Sequence, residues 1–84
     1  MAEYTIQILP SALKQLQKIP LKSRKAIIKK IEDLASKPRP SGVVKLTDRE
    51  GYRIRKGDYR VIYTIQDEEL IITVIKVAHR KDAY

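Results

Sequence analysis

Three arginines on a predicted β-hairpin are the first side chains in this 84-residue sequence that could act on a charged substrate. The stretch GYRIRKGDYRVIY, residues 51–63, reads as two strands joined by a two-residue Gly-Asp turn. That turn sets Arg55 directly opposite Arg60, with Arg53 two residues away. Like charges directly across a sheet are destabilising, so these arginines either bend apart into water or hold an anion together. A phosphodiester matches guanidinium donors in both geometry and charge.

Alternation of side chains along the strands assigns the arginines to one face of the sheet. The pairs expected across the hairpin are Lys56 with Tyr59, Arg55 with Arg60, Ile54 with Val61 and Arg53 with Ile62. The face expected to cover the helices carries Tyr52, Ile54, Tyr59, Val61, Tyr63, Ile65, Leu70, Ile72 and Val74. The opposite face is expected to carry Arg53, Arg55, Arg60, Ile62, Thr64, Ile71, Thr73, Ile75 and Val77. Continuing the alternation adds His79, followed by Arg80. A single arginine on such a face is usually solvated, but this convergence favours an anion site.

Composition limits the partners and excludes several kinds of site. Eighteen Lys and Arg against ten Asp and Glu give a net charge of +8 and a pI near 9.9. Such a charge favours nucleic acid, an acidic protein or an anionic membrane surface as the partner. The absence of cysteine and the single histidine exclude thiolate and multi-histidine metal sites, so we expect no metal and no cofactor.

The N-terminus does not read as a signal peptide, and the longest apolar run, residues 70–75, cannot span a bilayer. We therefore expect a soluble, cytoplasmic protein that uses no membrane.

A second basic group lies on the predicted helices. Residues 14–30 contain seven Lys or Arg, and residues 10–31 contain no acid. Exposed helix faces are commonly rich in lysine, but this group can also bind a long polyanion such as RNA by electrostatic attraction. The RNA-binding candidates are Lys14, Lys18, Lys22, Lys25 and Lys29, together with Lys45 and Lys56 near the hairpin.

Turn residues and apolar spacing predict the elements that carry these side chains. A strand over residues 3–9 is followed by a helix over 11–19, capped by Ser11 and buried through Leu13, Leu16 and Ile19. Pro20 begins a second helix over 21–37, whose apolar stripe is Ile27, Ile28, Ile31, Leu34 and Ala35. A loop over 38–42 and strands at about 43–46, 52–56, 59–66 and 69–78 complete the chain. The order β-α-α-β-β-β(-β) predicts one small α+β domain over residues 1–84, with a helical hairpin packed on a mostly antiparallel twisted sheet.

The sequence YRIRKGDYRVIYTI, followed by a strand and VAHRKDAY, resembles the RelE/ParE superfamily of bacterial toxin–antitoxin systems, and its RelE-like branch in particular. The resemblance spans essentially the whole chain. Members of that branch are metal-independent, ribosome-dependent endoribonucleases that cut mRNA in the ribosomal A site and so inhibit translation. The resemblance implies that Arg60 contacts the scissile phosphate and that Arg80 stabilises the transition state. It also implies that Tyr84 stacks on a base or assists proton transfer.

The residue types suit RNA cleavage without a metal. When a 2′-OH attacks the adjacent phosphate, the site must supply in-line positioning, charge stabilisation and proton transfers. Arginines can stabilise the charge, and His79, which matches the histidine of an HR motif in related toxins, is of the type suited to proton transfer near neutrality. Arg53 and Arg55 stand where RelE-type toxins often have lysines, and arginine is a poor general base. The base is therefore left among His79, Lys45, Glu50 and the ribosome.

The resemblance also implies a protein partner, an acidic antitoxin that wraps the chain and covers or distorts the arginine face. Two other interpretations stay open. One is a ParE-like inhibitor of DNA gyrase without nuclease activity, and the other is a non-catalytic RNA-binding relative. The joint presence of Arg60, His79, Arg80 and Tyr84 favours the nuclease, because gyrase binding does not require them together.

Overall fold

The strands assemble into one mixed sheet whose order differs from their order along the chain. The computed structural model describes residues 3–81. Its elements are β1 (Thr5–Ile8), α1 (Pro10–Gln17), α2 (Leu21–Asp33), β2 (Val44–Lys45), β3 (Tyr52–Lys56), β4 (Tyr59–Gln66) and β5 (Ile71–His79). The sheet order is β1-β5-β4-β3-β2, with β1 parallel to β5 and the other neighbouring pairs antiparallel. The predicted α+β class, with two helices on a mostly antiparallel sheet, is confirmed.

Helix α1 begins one residue earlier than predicted, at Pro10. Leu9 is the N-cap residue and no side chain caps the helix, so the prediction that Ser11 caps it is wrong. Proline suits the first helical position because its fixed φ is already helical and its missing N–H would have no partner there. The buried residues are Ala12 and Leu16, whereas Leu13 is 46% exposed. The expected burial of Leu13 is therefore wrong, since the inward face is set one residue earlier.

Helix α2 follows Pro20, which is its N-cap residue. Its buried side comprises Ile27 and Ile31, continued by Leu34 beyond the helix end, while Ile28 is 37% exposed at the rim. The helix ends at Asp33, four residues before the predicted end. Within residues 3–81, no helix is long and apolar enough to cross a bilayer.

One face of the sheet packs on the helices, with α1 against β5 and α2 against β3. The buried side chains of that face are Ile54, Val61, Tyr63, Ile72, Val74 and Val77. Each is at most 2% exposed, and burying an aliphatic side chain of this size contributes about 1.5–3 kcal/mol. This core fixes the orientation of β3, β4 and β5, and hence of every side chain on the opposite face.

A β-bulge interrupts the pairing of β4 with β5. Ile62 pairs with Lys76, but the next residue, Tyr63, pairs with Val74, so Ile75 is an extra residue on β5. Beyond the bulge, the alternation of β5 is reversed relative to the sequence-based assignment. Val77 was expected on the arginine face, but it lies opposite Val61 and is 2% exposed in the core.

Candidate anion-binding site

Arg53, Arg55 and Arg60 lie together on the sheet face that carries no helix within residues 3–81. The four predicted hairpin pairs are confirmed, including Arg55 directly opposite Arg60. The three arginines line a cavity of about 260 Å³, completed by Gly42, Val44 and Ile54, which we call the arginine cavity. Arg53 and Arg60 are partly buried, and the Nε and Nη1 atoms of Arg60 are fully buried. Three guanidinium groups around one cavity generate a positive potential that suits an anion.

Arg80 is brought to the tip of the same hairpin. Its backbone N–H donates to the Asp58 carbonyl at 2.7 Å, and its Nε lies 3.8 Å from Asp58 Oδ1. Ala78, two residues earlier, lies opposite Arg60, so the alternation of β5 directs Arg80 to the side of the sheet that carries Arg60. The Arg80 side chain is 62% exposed and is therefore available to an incoming anion.

His79 does not join the arginines. It lies opposite Tyr59, with their ring centroids 5.3 Å apart in an edge-to-face arrangement. Its Nδ1 accepts a hydrogen bond of 3.2 Å from the Lys81 backbone N–H, which leaves Nε2 to carry the proton of the neutral ring. The surrounding cavity, of about 410 Å³, is bordered by Lys18 and Ile19 near α1. The prediction that His79 lies on the arginine face is wrong. The extra residue at the bulge shifts the alternation of β5 by one position, so His79 lies on the helix-facing side.

The remaining hairpin candidates divide between different surfaces. Lys45 lies on the edge strand β2, opposite Tyr52, and lines a cavity that also includes Arg53. Lys56 lies opposite Tyr59 and lines a separate cavity that includes Ser23 of α2. Tyr84 falls outside the described residues. Lys45 is thus close to the arginine cavity, whereas Lys56 is not part of it.

The lysines of the helical hairpin lie on the opposite side of the sheet from the arginine cavity. The exposed members are Lys14, Lys18, Lys22, Lys25 and Lys29. Lys29 is engaged by Asp33 at 3.0 Å, and this contact raises the pKa of the Lys29 ammonium group. A polyanion would have to wrap around the domain to contact both basic surfaces at once.

Two cationic residues near the arginines were not singled out from the sequence. Lys76 lies opposite Ile62 and so shares the arginine face, because the bulge precedes it. Arg49 lies in the loop between β2 and β3 and lines a second cavity, of about 430 Å³, that also includes Arg53. We call it the loop cavity. Residues 71–79 contain no glycine or proline that would indicate the bulge, so the position of Lys76 could not be predicted. Arg49 lies in the segment TDRE, which the sequence analysis identifies only as a turn.

Residues 6–84 match the family described as the ParE toxin of type II toxin–antitoxin systems, parDE. The chain belongs to the RelE/ParE superfamily of toxins. It is 30% identical to toxin RelG of Mycobacterium tuberculosis over 83 residues, covering 96% of this chain and 95% of that protein. It is 32% identical to toxin RelE of the same organism, covering 96% of this chain and 86% of that protein.

Solved structures agree with the family assignment of the toxin. The archaeal RelE–RelB complex of Pyrococcus horikoshii contains a chain that superposes with a TM-score of 0.84 at 30% identity, covering 96% of this chain and 99% of that one. The RelBE2 toxin–antitoxin complex of M. tuberculosis gives a TM-score of 0.83 at 27% identity, with 93% and 99% covered. The fold is therefore that of RelE-type toxins.

A polar network away from the arginine cavity holds the loop after α2 against the sheet of the toxin. Arg39 donates to both carboxylate oxygens of Asp67, at 3.3 and 2.9 Å, and its Nε donates to the Tyr52 hydroxyl at 3.2 Å. The Tyr4 hydroxyl also donates to Asp67, at 2.6 Å. Hydrogen bonding from Arg39, and then from Tyr4, lowers the pKa of the Asp67 carboxyl.

Nearby, burial raises the pKa of Tyr63 to about 12, and its hydroxyl donates to the Pro38 carbonyl at 2.7 Å. These contacts stabilise the domain and contribute nothing to the arginine cavity.

Proposed function

We propose that this toxin is a metal-independent, ribosome-dependent mRNA endoribonuclease that inhibits translation. The observation that carries the proposal is the arginine cavity, in which Arg53, Arg55 and Arg60 share one space on the sheet face opposite the helices. An RNA phosphate matches converging guanidinium groups in charge and geometry, and the ribosomal A site as its location rests on the resemblance to RelE-type toxins. Such a target also implies that the toxin acts in the cytoplasm.

In the proposed reaction, the 2′-oxygen of one nucleotide attacks the adjacent phosphorus. The O2′–P bond forms as the 2′-hydroxyl gives its proton to a base, and the P–O5′ bond breaks as the leaving 5′-oxygen takes a proton from an acid. The products are a 2′,3′-cyclic phosphate and a free 5′-hydroxyl end. Negative charge grows on the non-bridging oxygens, and Arg60 and Arg80 are the groups that stabilise it. Arg53 and Arg55 hold the phosphate in line for attack.

The arginine cavity lacks a side chain among its described lining residues that can readily accept or donate a proton. Arginine hardly deprotonates, and His79 faces Tyr59 on the other side of the sheet. Lys45 borders the neighbouring loop cavity, although it lies opposite Tyr52 of the helix-facing side, and Glu50 immediately precedes β3. The base therefore stays open between these two side chains and the ribosome. We propose that the ribosome supplies at least one proton-transfer group, which makes free RNA a poor substrate.

An acidic antitoxin is the proposed protein partner. The similar RelE chains of P. horikoshii and M. tuberculosis were solved as complexes with RelB-type antitoxins. The net charge of +8 favours an acidic segment. By covering the arginine cavity, such a segment would exclude the RNA phosphate directly.

The test is mRNA cleavage in a reconstituted translation system, comparing the wild-type toxin with Arg60→Ala and Arg60→Lys and mapping the new RNA ends. Cuts within ribosome-occupied codons, lost in Arg60→Ala, support the nuclease. Thermal unfolding of each variant separates loss of chemistry from loss of fold. Intact mRNA in the presence of folded, growth-arresting wild-type toxin refutes the proposal.

A ParE-like activity is the second candidate, because the matching family is described as the ParE toxin. In that case the toxin inhibits DNA gyrase and cuts no RNA. A supercoiling assay with purified gyrase distinguishes the two, since only a gyrase inhibitor blocks supercoiling. RNA binding without cleavage and without gyrase inhibition would instead indicate a non-catalytic RNA-binding relative.

A further inference from the structure

The loop cavity lies between the β2–β3 loop and the sheet face that carries the arginines. Its apolar wall is formed by Val44, Leu46 and Ile62, and its polar rim by Lys45, Thr47, Asp48, Arg49 and Arg53. Its volume of about 430 Å³ falls within the range of small-ligand pockets. The cavity thus combines apolar side chains with both hydrogen-bond donors and acceptors.

The base of the loop that borders this cavity is held by a hydrogen bond and by a glycine. The Leu46 backbone N–H donates to the Gly51 carbonyl at 3.0 Å, which joins the two ends of the loop. Gly51 has a φ of +140°, and a Cβ at that position would lie 3.2 Å from the Tyr63 carbonyl oxygen. A residue with a side chain would therefore disturb the base of the loop that carries Asp48 and Arg49.

The loop cavity adjoins the arginine cavity. Val44 and Arg53 line both, so a ligand can pass from one to the other without leaving the surface. A phosphate held by the arginines would carry its own nucleotide next to Val44, which is 44% exposed, whereas Ile62 on the same wall is only 6% exposed and contributes little open surface. Single-stranded RNA is recognised in this way, with a splayed base against an apolar or guanidinium surface and its edge read by polar groups.

We propose that the loop cavity binds the base of the nucleotide adjoining the phosphate in the arginine cavity, and that Asp48 and Arg49 determine which base is accepted. This inference rests on the proposed function. The Asp48 carboxylate only accepts hydrogen bonds, so it favours a base with an exocyclic amino group. Adenine, cytosine and guanine have such a group and uracil does not. Arg49 donates to an acceptor on the base or stacks on its face.

The test uses the ribosome assay with mRNAs that differ only at the nucleotides flanking the cut. Wild-type toxin is compared with Asp48→Asn, Arg49→Ala and the control Glu68→Gln, an acid-to-amide change in the β4–β5 turn. Asp48→Asn should reduce the preference for amino-bearing bases over uracil by about 5- to 100-fold, the usual value of one specific base contact. Glu68→Gln should keep the wild-type preference. Arg49→Ala should lower cleavage at favoured codons more than at uracil-containing ones.

The outcomes distinguish this inference from the proposed function. If wild-type toxin cleaves and both loop variants keep its base preference, the loop cavity reads no base and the nuclease stands. If wild-type toxin does not cleave, the nuclease fails, and the cavity is tested by titrating methyl-labelled toxin with short oligoadenylate and oligouridylate RNAs. Shifts of the Ile62 and Val44 methyl resonances that are larger with oligoadenylate support the base site, and their absence overturns it.

Discussion

His79 lies directly opposite Tyr59, with the two ring centroids 5.3 Å apart and the ring planes at 87°. This pairing fixes the imidazole on the helix-facing side of the sheet, whereas Arg53, Arg55 and Arg60 lie on the other side. A histidine within reach of an RNA phosphate is the usual candidate for proton transfer. In this structure His79 contacts Tyr59 edge to face instead, and we expect it to have a packing role.

The first prediction is that His79→Gln changes stability more than cleavage. Loss of the aromatic pair should lower the free energy of unfolding by about 0.5–1.5 kcal/mol. Cleavage in single-turnover ribosome assays should fall by much less than the about 100-fold typical of losing a general acid or base. Tyr59→Phe, which keeps the ring pair, serves as the stability control. A 100-fold loss with a flattened pH profile would contradict the packing role.

Local chemistry explains why the hairpin could be predicted from the sequence. The Gly-Asp turn fixes the loop length, the loop length fixes the register, and the register puts Arg55 opposite Arg60. Apolar residues alternate with arginines in β3, so only one register buries Ile54 and exposes the charges. The resemblance to RelE-type toxins in the same residues then indicated the family, and the comparisons confirm it.

The bulge in β5 could not be predicted because the strand offers apolar side chains to both faces. The segment LIITVIKV would bury a comparable set of side chains with or without an extra residue. The choice depends on which of Ile75 and Val77 fits beneath the helices, which is a matter of tertiary packing. Val77 is buried in the structure. As a result, His79 lies on the helix-facing side and Lys76 lies on the arginine face. The roles of these side chains in the site therefore depend on a feature without a local signature.

The second prediction concerns the cost of holding two arginines opposite each other. Replacing Arg55 with Gln should raise the free energy of unfolding by about 0.2–1 kcal/mol at low salt, because it removes a like-charge pair across the sheet. The gain should shrink as salt screens the charges, while mRNA cleavage falls. Lys56→Gln removes the same charge from the next position, whose neighbour across the strand is Tyr59. An equal gain in both variants would indicate a general effect of net charge instead.

The third prediction separates Arg60 from Arg80. Both Arg60→Ala and Arg80→Ala should lower the cleavage rate by about 100-fold or more, the usual effect of removing a group that stabilises transition-state charge. Ribosome binding, measured by co-sedimentation, should fall much less. Only Arg60→Ala should also shift the thermal midpoint, since Arg60 is partly buried and the Arg80 side chain is 62% exposed. Equal losses of cleavage and binding would reduce both residues to ordinary phosphate contacts.

The fourth prediction concerns stability at alkaline pH. Burial raises the pKa of Tyr63 to about 12 from an ordinary value of 10.0. The folded state therefore favours the neutral phenol, which donates to the Pro38 carbonyl. The resulting stabilisation is fully present below the unfolded pKa and is lost as the pH rises from about 10 towards 12.

Urea unfolding across this range should show a steeper loss of stability for the wild type than for Tyr63→Phe, which cannot ionise at this position. Tyr59→Phe is the control because it removes a phenol while keeping the ring contact with His79. Parallel curves for wild type and Tyr63→Phe would mean that the Tyr63 phenol ionises equally easily in the folded and unfolded states.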